Sequence, residues 1–260
     1  MSNLPDNSID LIITSPPYDS IRDYNKNQWT LDLPGIGQQV GRILKEGGVC
    51  AVVIQDQTKN GSKSLTTARM QVNWCDNGTG LKLWECLIYQ RSGSPGNWWS
   101  KRFRVDHEYI PIFIKNNSKG KTTKPNFFNK KPLYIECKNA GKKGSKIHKV
   151  RATDNSLIET EKWVNAPTKC RGTIWDYEKF RGRDNLDAAT KLKRKHPATF
   201  PRQLAHDLII CFSEPGHIVL DPMCGSGTTC VMAKQLKRIY IGNDINDEYC
   251  QLAREWLKTV

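Results

Sequence analysis

Apolar residues along the chain alternate between short unbroken runs and helical spacings, and that alternation predicts an α/β fold. Asp10-Leu11-Ile12-Ile13-Thr14 reads as a short buried strand, ended by Pro16-Pro17, which cannot donate to a ladder. Ile36, Val40, Ile43 and Leu44 recur at helical spacing, and Gly47-Gly48 is expected to close that helix before a strand over residues 49–54. Runs at 83–89 and 109–114 read as strands flanking the loop Ser92-Gly93-Ser94-Pro95-Gly96-Asn97-Trp98-Trp99. Leu204, Leu208, Ile209 and Phe212 mark an amphipathic helix stopping near Pro215-Gly216, followed by the strand His217-Ile218-Val219-Leu220. Then come a helix through Val231, Ala233 and Leu236 and a strand over 238–245 ending in Asp244. A last helix, which Asp247 can cap, carries Tyr249, Leu252, Ala253, Trp256 and Leu257 on one face.

Composition adds a location for the charge. Residues 115–195 hold 22 Lys and Arg against 8 Asp and Glu, and the remainder of the chain balances at 18 against 18, so the whole net charge of +14 sits in one middle segment. That segment includes Lys115-Asn116-Asn117-Ser118-Lys119-Gly120-Lys121, Lys142-Lys143-Gly144-Ser145-Lys146 and Lys191-Leu192-Lys193-Arg194-Lys195. It also carries scattered aromatics, Trp163, Trp175, Tyr177 and Phe180. Such a mixture suits a phosphate-backbone surface, and it equally suits a solvated insertion. With 260 residues the chain can build one large domain with an insertion, or a domain and a smaller lobe. Nine cysteines without a C-x-x-C pair argue against a disulfide framework or a zinc site and fit a reducing compartment. No apolar run approaches the length of a membrane span and no signal peptide opens the chain, so a soluble cytoplasmic protein that binds neither membrane nor metal is expected.

Two segments carry candidate chemistry, each directly after a predicted buried strand, where ligands bind in open α/β sheets. In Asp221-Pro222-Met223-Cys224-Gly225-Ser226-Gly227-Thr228-Thr229, Asp221 ends the strand, and Gly225 and Gly227 allow a tight turn and close approach to a ligand. The next helix aims its amino terminus at the same place. Asp244, at the end of the next strand, is suited to accept hydrogen bonds from ribose hydroxyls. A G-S-G turn alone is common in purely structural loops. There is no lysine for a phosphate-binding P-loop and no third glycine for a dinucleotide fingerprint. The other segment is Thr14-Ser15-Pro16-Pro17-Tyr18; by itself it also reads as a Ser-Pro-Pro turn before a buried tyrosine.

Taken together, the two segments resemble the catalytic and S-adenosylmethionine loops of amino-group DNA methyltransferases, in the order of the permuted beta group. They are most similar to the cytosine-N4-specific enzymes with Ser-Pro-Pro-Tyr. Leu4-Pro5-Asp6-Asn7-Ser8-Ile9-Asp10, Arg42 to Gly48, His107-Glu108-Tyr109 with Lys115, and Lys195-His196-Pro197-Ala198-Thr199-Phe200-Pro201 extend the likeness over residues 1–115 and 195–260. The resemblance implies a Rossmann-like α/β methyltransferase sheet in circularly permuted motif order. Residues 1–114 would be the catalytic half, 115–195 a basic target-recognition insertion and 196–260 the cofactor half. It implies that Ser15, Pro16, Pro17 and Tyr18 are catalytic: the Ser15 hydroxyl and Pro16 carbonyl hold the target amine while Tyr18 stacks on a flipped base. It further implies that Thr199, Phe200, Asp221, Pro222, Met223, Cys224, Gly225, Ser226, Gly227, Thr228 and Asp244 bind S-adenosylmethionine. Double-stranded DNA read at a specific sequence would be the substrate, and a homodimer and a cognate restriction enzyme are compatible partners.

Serine in the first position of the tetrapeptide goes with cytosine-N4 methylation more often than with adenine-N6, which stays open beside an inactive nucleic-acid-binding relative and an RNA or protein substrate. Cytosine-C5 chemistry needs a cysteine nucleophile after a proline, and no cysteine stands there. Met223 replaces the family's usual phenylalanine and keeps an apolar contact. Relatives in this order usually have a strand ahead of the position of Leu4 that ends in an acidic residue near the cofactor adenine. Its absence from these 260 residues leaves two expectations: a compact version in which Asp6 or Asp10 does other work, or a chain without an amino-terminal piece. His107 and His196 are expected to be structural, and Trp98-Trp99, near Arg102 and Arg104, either lobe packing or a base-stacking platform.

Overall fold

The computed structural model describes residues 1–17, 31–90, 103, 105–116, 124–142, 148–160, 164–177 and 201–260. These fall into two compact units, Met1–Asn129 with Thr173–Val260, and Lys130–Gly172.

The first unit is built on a seven-stranded sheet. Its strands are β1 (Ile9–Thr14), β2 (Leu44–Val52), β5 (Leu81–Gln90), β6 (His107–Lys115), β11 (Ile174–Asp176), β12 (Ile218–Asp221) and β13 (Ile239–Gly242), in the order β11-β5-β6-β2-β1-β12-β13. β1 pairs in parallel with both β2 and β12, β12 in parallel with β13, and β6 is antiparallel to both its neighbours. β1 is buried along nearly its whole length, as a central parallel strand covered on both faces must be, which is why it reads as an unbroken apolar run.

Helices cover the sheet. α1 (Leu33–Ile43) is capped by Asp32, whose carboxylate accepts from the Gly35 amide at 3.0 Å. α2 (Thr66–Asp76) brings Met70 and Trp74 into the core. The Trp74 indole N–H donates to the Leu33 carbonyl at 2.8 Å, and its ring lies 4.9 Å from that of Phe113. α3 (Arg202–Phe212), α4 (Thr228–Gln235) and α5 (Asp247–Leu257) follow, α4 packing against both α3 and α5.

Four expectations need correction. Gly47-Gly48 does not close α1: the helix ends at Ile43 and β2 begins at Leu44, so both glycines lie inside the strand. There the β1–β2 register jumps from Ile9↔Leu44 to Leu11↔Val49, and Gly47, with φ +71°, supplies the irregular backbone this bulge requires. The strand expected over 49–54 instead runs Leu44–Val52, and Ile54 makes only an isolated bridge to Tyr109. The strand expected over 238–245 is shorter, Ile239–Gly242, so Asp244 stands two residues beyond it. The cap of α5 is Asn246, whose side chain accepts from the Glu248 amide at 2.8 Å, and Asp247 is the first helical residue.

Asp6 and Asp10 do structural work. Asp6 pairs with Arg42 at 2.5 Å. Asp10 takes Lys45 Nζ at 2.6 Å on one oxygen and the Ile218 amide at 2.8 Å on the other, tying β1, β2 and β12 together at their amino ends.

The second unit is small and polar. It pairs β7 (Ile135–Glu136) with β10 (Thr168–Lys169) and β8 (His148–Arg151) with β9 (Leu157–Thr160), both antiparallel. It holds 11 Lys and Arg against 4 Asp and Glu. At its Ala152–Ser156 turn the Ser156 hydroxyl and amide donate to Asp154, holding that carboxyl below the usual range. Among the described residues no helix is long and apolar enough to cross a membrane.

Candidate active site

Strand order decides what the two motif segments can do. β1 and β12 are neighbours, parallel and in the register Ile12↔Leu220, so Ser15-Pro16-Pro17 and the loop after Asp221 leave the sheet side by side at one edge. Pro16 is buried and Ser15 and Pro17 are partly exposed. The carbonyl of Thr14, just before Ser15, is fixed by the Val53 amide at 2.8 Å. Tyr18, Thr199 and Phe200 lie outside the described residues, as do Trp98, Trp99, Arg102, Arg104, Trp163, Phe180, His196 and the run 191–195.

The glycine loop is held from both ends. Gly225 and Gly227 adopt φ +49° and +91°. The Gly227 amide donates to Cys224 O at 2.8 Å and the Cys224 amide to Asn243 O at 2.8 Å, which ties the loop to the residue after β13. Asp244, partly buried, accepts the Gly225 amide on one oxygen at 2.8 Å and the Asn246 amide on the other at 2.9 Å. Each carboxylate oxygen carries two lone pairs, so both keep capacity for a ligand hydroxyl.

Asp221 is buried. One oxygen accepts the Thr229 hydroxyl at 2.7 Å and the other the Met223 amide at 3.2 Å. Burial lifts its pKa to about 6, the Asp244 carboxylate adds to the rise, and Thr229, the Met223 amide and Thr14 oppose it. Since the folded chain holds this proton more tightly than the unfolded one, where an aspartate titrates near pH ~3.9, the associated stability is fully present below about pH 4 and is lost as pH rises through about 6. Asp221→Asn keeps the shape and removes the charge. Urea midpoints from about pH 4 to pH 8 should therefore show the variant gaining on the parent by at most about 3 kcal/mol, and parallel curves would contradict the buried-carboxylate account.

Cysteines near the loop are unsuited to nucleophilic work. A hydrogen bond with the Cys230 thiol, followed by burial, pushes the Cys224 thiol up; burial and then Asp221 push Cys50 up. His107 touches Tyr109 edge-on at 5.0 Å and its carbonyl accepts from the Gln55 side chain, a structural arrangement.

The roles of Thr229 and Asn243, and a separate buried cluster, escaped sequence reasoning. Thr229 is the hydroxyl that closes on Asp221, and Asn243 is the residue that anchors Cys224. A second buried carboxylate, Asp207 on α3, accepts Tyr177 Oη at 2.7 Å and Gln203 Nε2 at 2.7 Å, joining α3 to the end of β11. Only the spacing of Gln203 and Asp207 hinted at that cluster.

What the arrangement offers is a tight, buried glycine turn, a partly buried carboxylate, Asp244, with lone pairs left for a hydroxyl-bearing ligand, and a Ser-Pro-Pro acceptor edge after the neighbouring strand. Residues 221–229 contain no Lys or Arg, which favours a ligand carrying positive charge over a phosphate.

Comparison with known proteins agrees with this reading of the fold. The chain is 34% identical over 259 residues to the orphan methyltransferase M.BamHII of Bacillus amyloliquefaciens, covering 98% of this chain and 91% of that one. Its fold is similar to that of the PvuII DNA methyltransferase (cytosine-N4-specific), with a TM-score of 0.69 at 19% identity, covering 98% of this chain and 81% of that chain. It is also similar to a structure described as a DNA modification methylase from Thermus thermophilus complexed with S-adenosyl-L-methionine, with a TM-score of 0.60 at 22% identity, covering 99% and 90%. The family model described as DNA methylase, whose name spans N6 and N4 methyltransferases, matches residues 9–255, and the chain belongs to that family.

Proposed function

We propose that the chain transfers a methyl group from S-adenosylmethionine to the exocyclic N4 amine of cytosine in duplex DNA. The observation that carries this reading is the adjacency of β1 and β12, which brings the Ser15-Pro16-Pro17 edge alongside the Asp221–Gly227 turn. An exocyclic amine is a poor nucleophile because its lone pair is delocalised into the ring. The Ser15 hydroxyl and the Pro16 carbonyl accept its hydrogens and turn that lone pair outward, and Tyr18 stacks on the flipped ring. S-adenosylmethionine, when bound, supplies an electrophilic methyl on a positively charged sulfur. The loop backbone at Gly225 and Gly227, with Thr199, Phe200 and the rest of residues 221–228, holds it, and Asp244 takes its ribose hydroxyls. Methyl transfer would leave S-adenosylhomocysteine as a neutral thioether and release one amine proton to solvent, so the contribution of these residues would be positioning.

Residues 115–195 serve as the target-recognition region. Their basic surplus attracts the phosphate backbone, and Lys130–Gly172 is the compact unit within them. Serine in place of aspartate before Pro-Pro-Tyr favours cytosine over adenine.

Mass analysis of nucleosides from duplex DNA incubated with the protein and S-adenosylmethionine tests the reading. N4-methylcytosine is expected. N6-methyladenine would move the assignment to the other base, and no methylated nucleoside would overturn the activity.

A further inference from the structure

Between β2 and α2 the chain makes a short ribbon that the core does not require. β3 (Thr58–Lys59) and β4 (Ser62–Lys63) pair antiparallel in the register Thr58↔Lys63 and Lys59↔Ser62. The two-residue link is Asn60-Gly61 with φ +49° and +77°, both left-handed, as the tight primed hairpin turn demands. Asn60, Gly61, Ser62 and Lys63 are all exposed. No apolar residue lies between Thr58 and Ser64.

The base of this ribbon is nevertheless locked. The Ser64 amide donates to Gln57 O at 3.0 Å and the Gln57 amide to Ser64 Oγ at 3.1 Å. Thr66 Oγ1 donates to Ser64 Oγ at 2.8 Å. Asp56 accepts the Thr67 amide on one carboxylate oxygen at 2.8 Å, and Lys63 Nζ donates to the Asp56 carbonyl at 3.4 Å. Even Leu65, the residue before α2, is held at φ +57°. The exposed tip is polar throughout, with Leu65 exposed only beyond its base, and such a tip suits a polar partner.

Its position and charge say which. β2 runs parallel to β1 with Thr14↔Val52 in register, so the ribbon rises from the sheet edge that carries Ser15. Residues 57–65 hold Lys59 and Lys63 and no acidic residue, and the first turn of α2 has none. This charge lies outside the basic segment 115–195, on a ribbon that follows the strand next to the one leading into Ser15. Small residues at a Gly tip let a backbone come close, and a lysine in each strand neutralises phosphates.

We propose that the ribbon 57–64 is a second DNA-contact element, gripping the phosphate backbone next to the nucleotide that enters the site, separately from the target-recognition region. This rests on the methyltransferase reading. Lys59 and Lys63 position the strand without reading bases, because phosphate contacts carry no sequence information.

A Lys59→Ala/Lys63→Ala protein tests it, with binding to a short DNA duplex followed by fluorescence anisotropy across a salt series. Two lost phosphate contacts should lower the slope of log affinity against log salt by about 1.8. Ser62→Glu, which adds a negative charge at the same exposed place, should weaken binding as well. KM for DNA should rise in both variants while kcat, S-adenosylmethionine affinity and the methylated sequence stay as in the parent. A variant with parental affinity and salt slope would overturn the ribbon assignment alone. A parent protein that neither binds nor methylates duplex DNA would overturn the methyltransferase reading, and the ribbon's role with it.

Discussion

Methyl incorporation into duplex DNA by a Ser15→Ala protein is expected to fall by about 10²–10³-fold, the scale seen when one hydrogen-bonding group is removed from a reacting centre. Affinity for S-adenosylmethionine should stay within about twofold, because Ser15 follows β1 whereas the loop assigned to the cofactor follows β12. The fold should survive. Ser15 is only partly buried, and the neighbouring backbone is pinned independently by the Val53 amide on the Thr14 carbonyl. Ser15→Asp is the informative companion: a carboxylate also accepts from an amine, so it should recover part of the lost rate, which a merely structural serine would not predict. Radiolabel incorporation with calorimetry of cofactor binding separates the outcomes. Parental turnover by Ser15→Ala would remove this residue from the chemistry.

Much of this architecture is legible in the chain because the central strands of the sheet are buried on both faces. β1, β6 and β12 announce themselves as apolar runs, and α3 and α5 as amphipathic helices. Where the reading slipped, a local signal had two physical uses. Gly47 supplies a positive φ, which a helix terminus and a strand bulge both need, and only the register with β1 distinguishes them. Asn246 and Asp247 are both good caps, and the backbone alone selects Asn246. α2 went unread because two of its four buried residues are threonines, leaving Met70 and Trp74 to carry a weak apolar period. The site was legible as two separate segments. Their adjacency was not, because it depends on strand order, and neither were the Asp221–Thr229 and Gly225–Asp244 contacts, which join residues whose spacing has no helical or strand period.

Gly227→Ala is expected to cost about 2–5 kcal/mol of stability and to abolish measurable binding of S-adenosylmethionine. Two independent penalties meet at this position. The backbone sits at φ +91°, where a side chain costs about 1–2 kcal/mol. In addition, a Cβ there would stand 2.7 Å from the Ala253 Cβ and 3.1 Å from its Cα, closer than atoms approach, so α5 has to move away at about 1–3 kcal/mol. Moving α5 pulls on its amino end at Asn246, whose amide is held by Asp244, and Asp244 in turn holds the Gly225 amide. One methyl group thus reaches the whole glycine loop through a backbone that cannot bend out of its way. Gly216→Ala separates the two penalties: its φ is +86°, yet nothing lies within 4 Å of the added carbon, so only the conformational cost remains. Denaturant midpoints should place Gly216→Ala about 1–2 kcal/mol below the parent with cofactor binding retained, and Gly227→Ala lower still with binding lost. If the two variants lose equal stability, contact with Ala253 plays no part, and if Gly227→Ala binds cofactor normally, the loop is not where the cofactor is held.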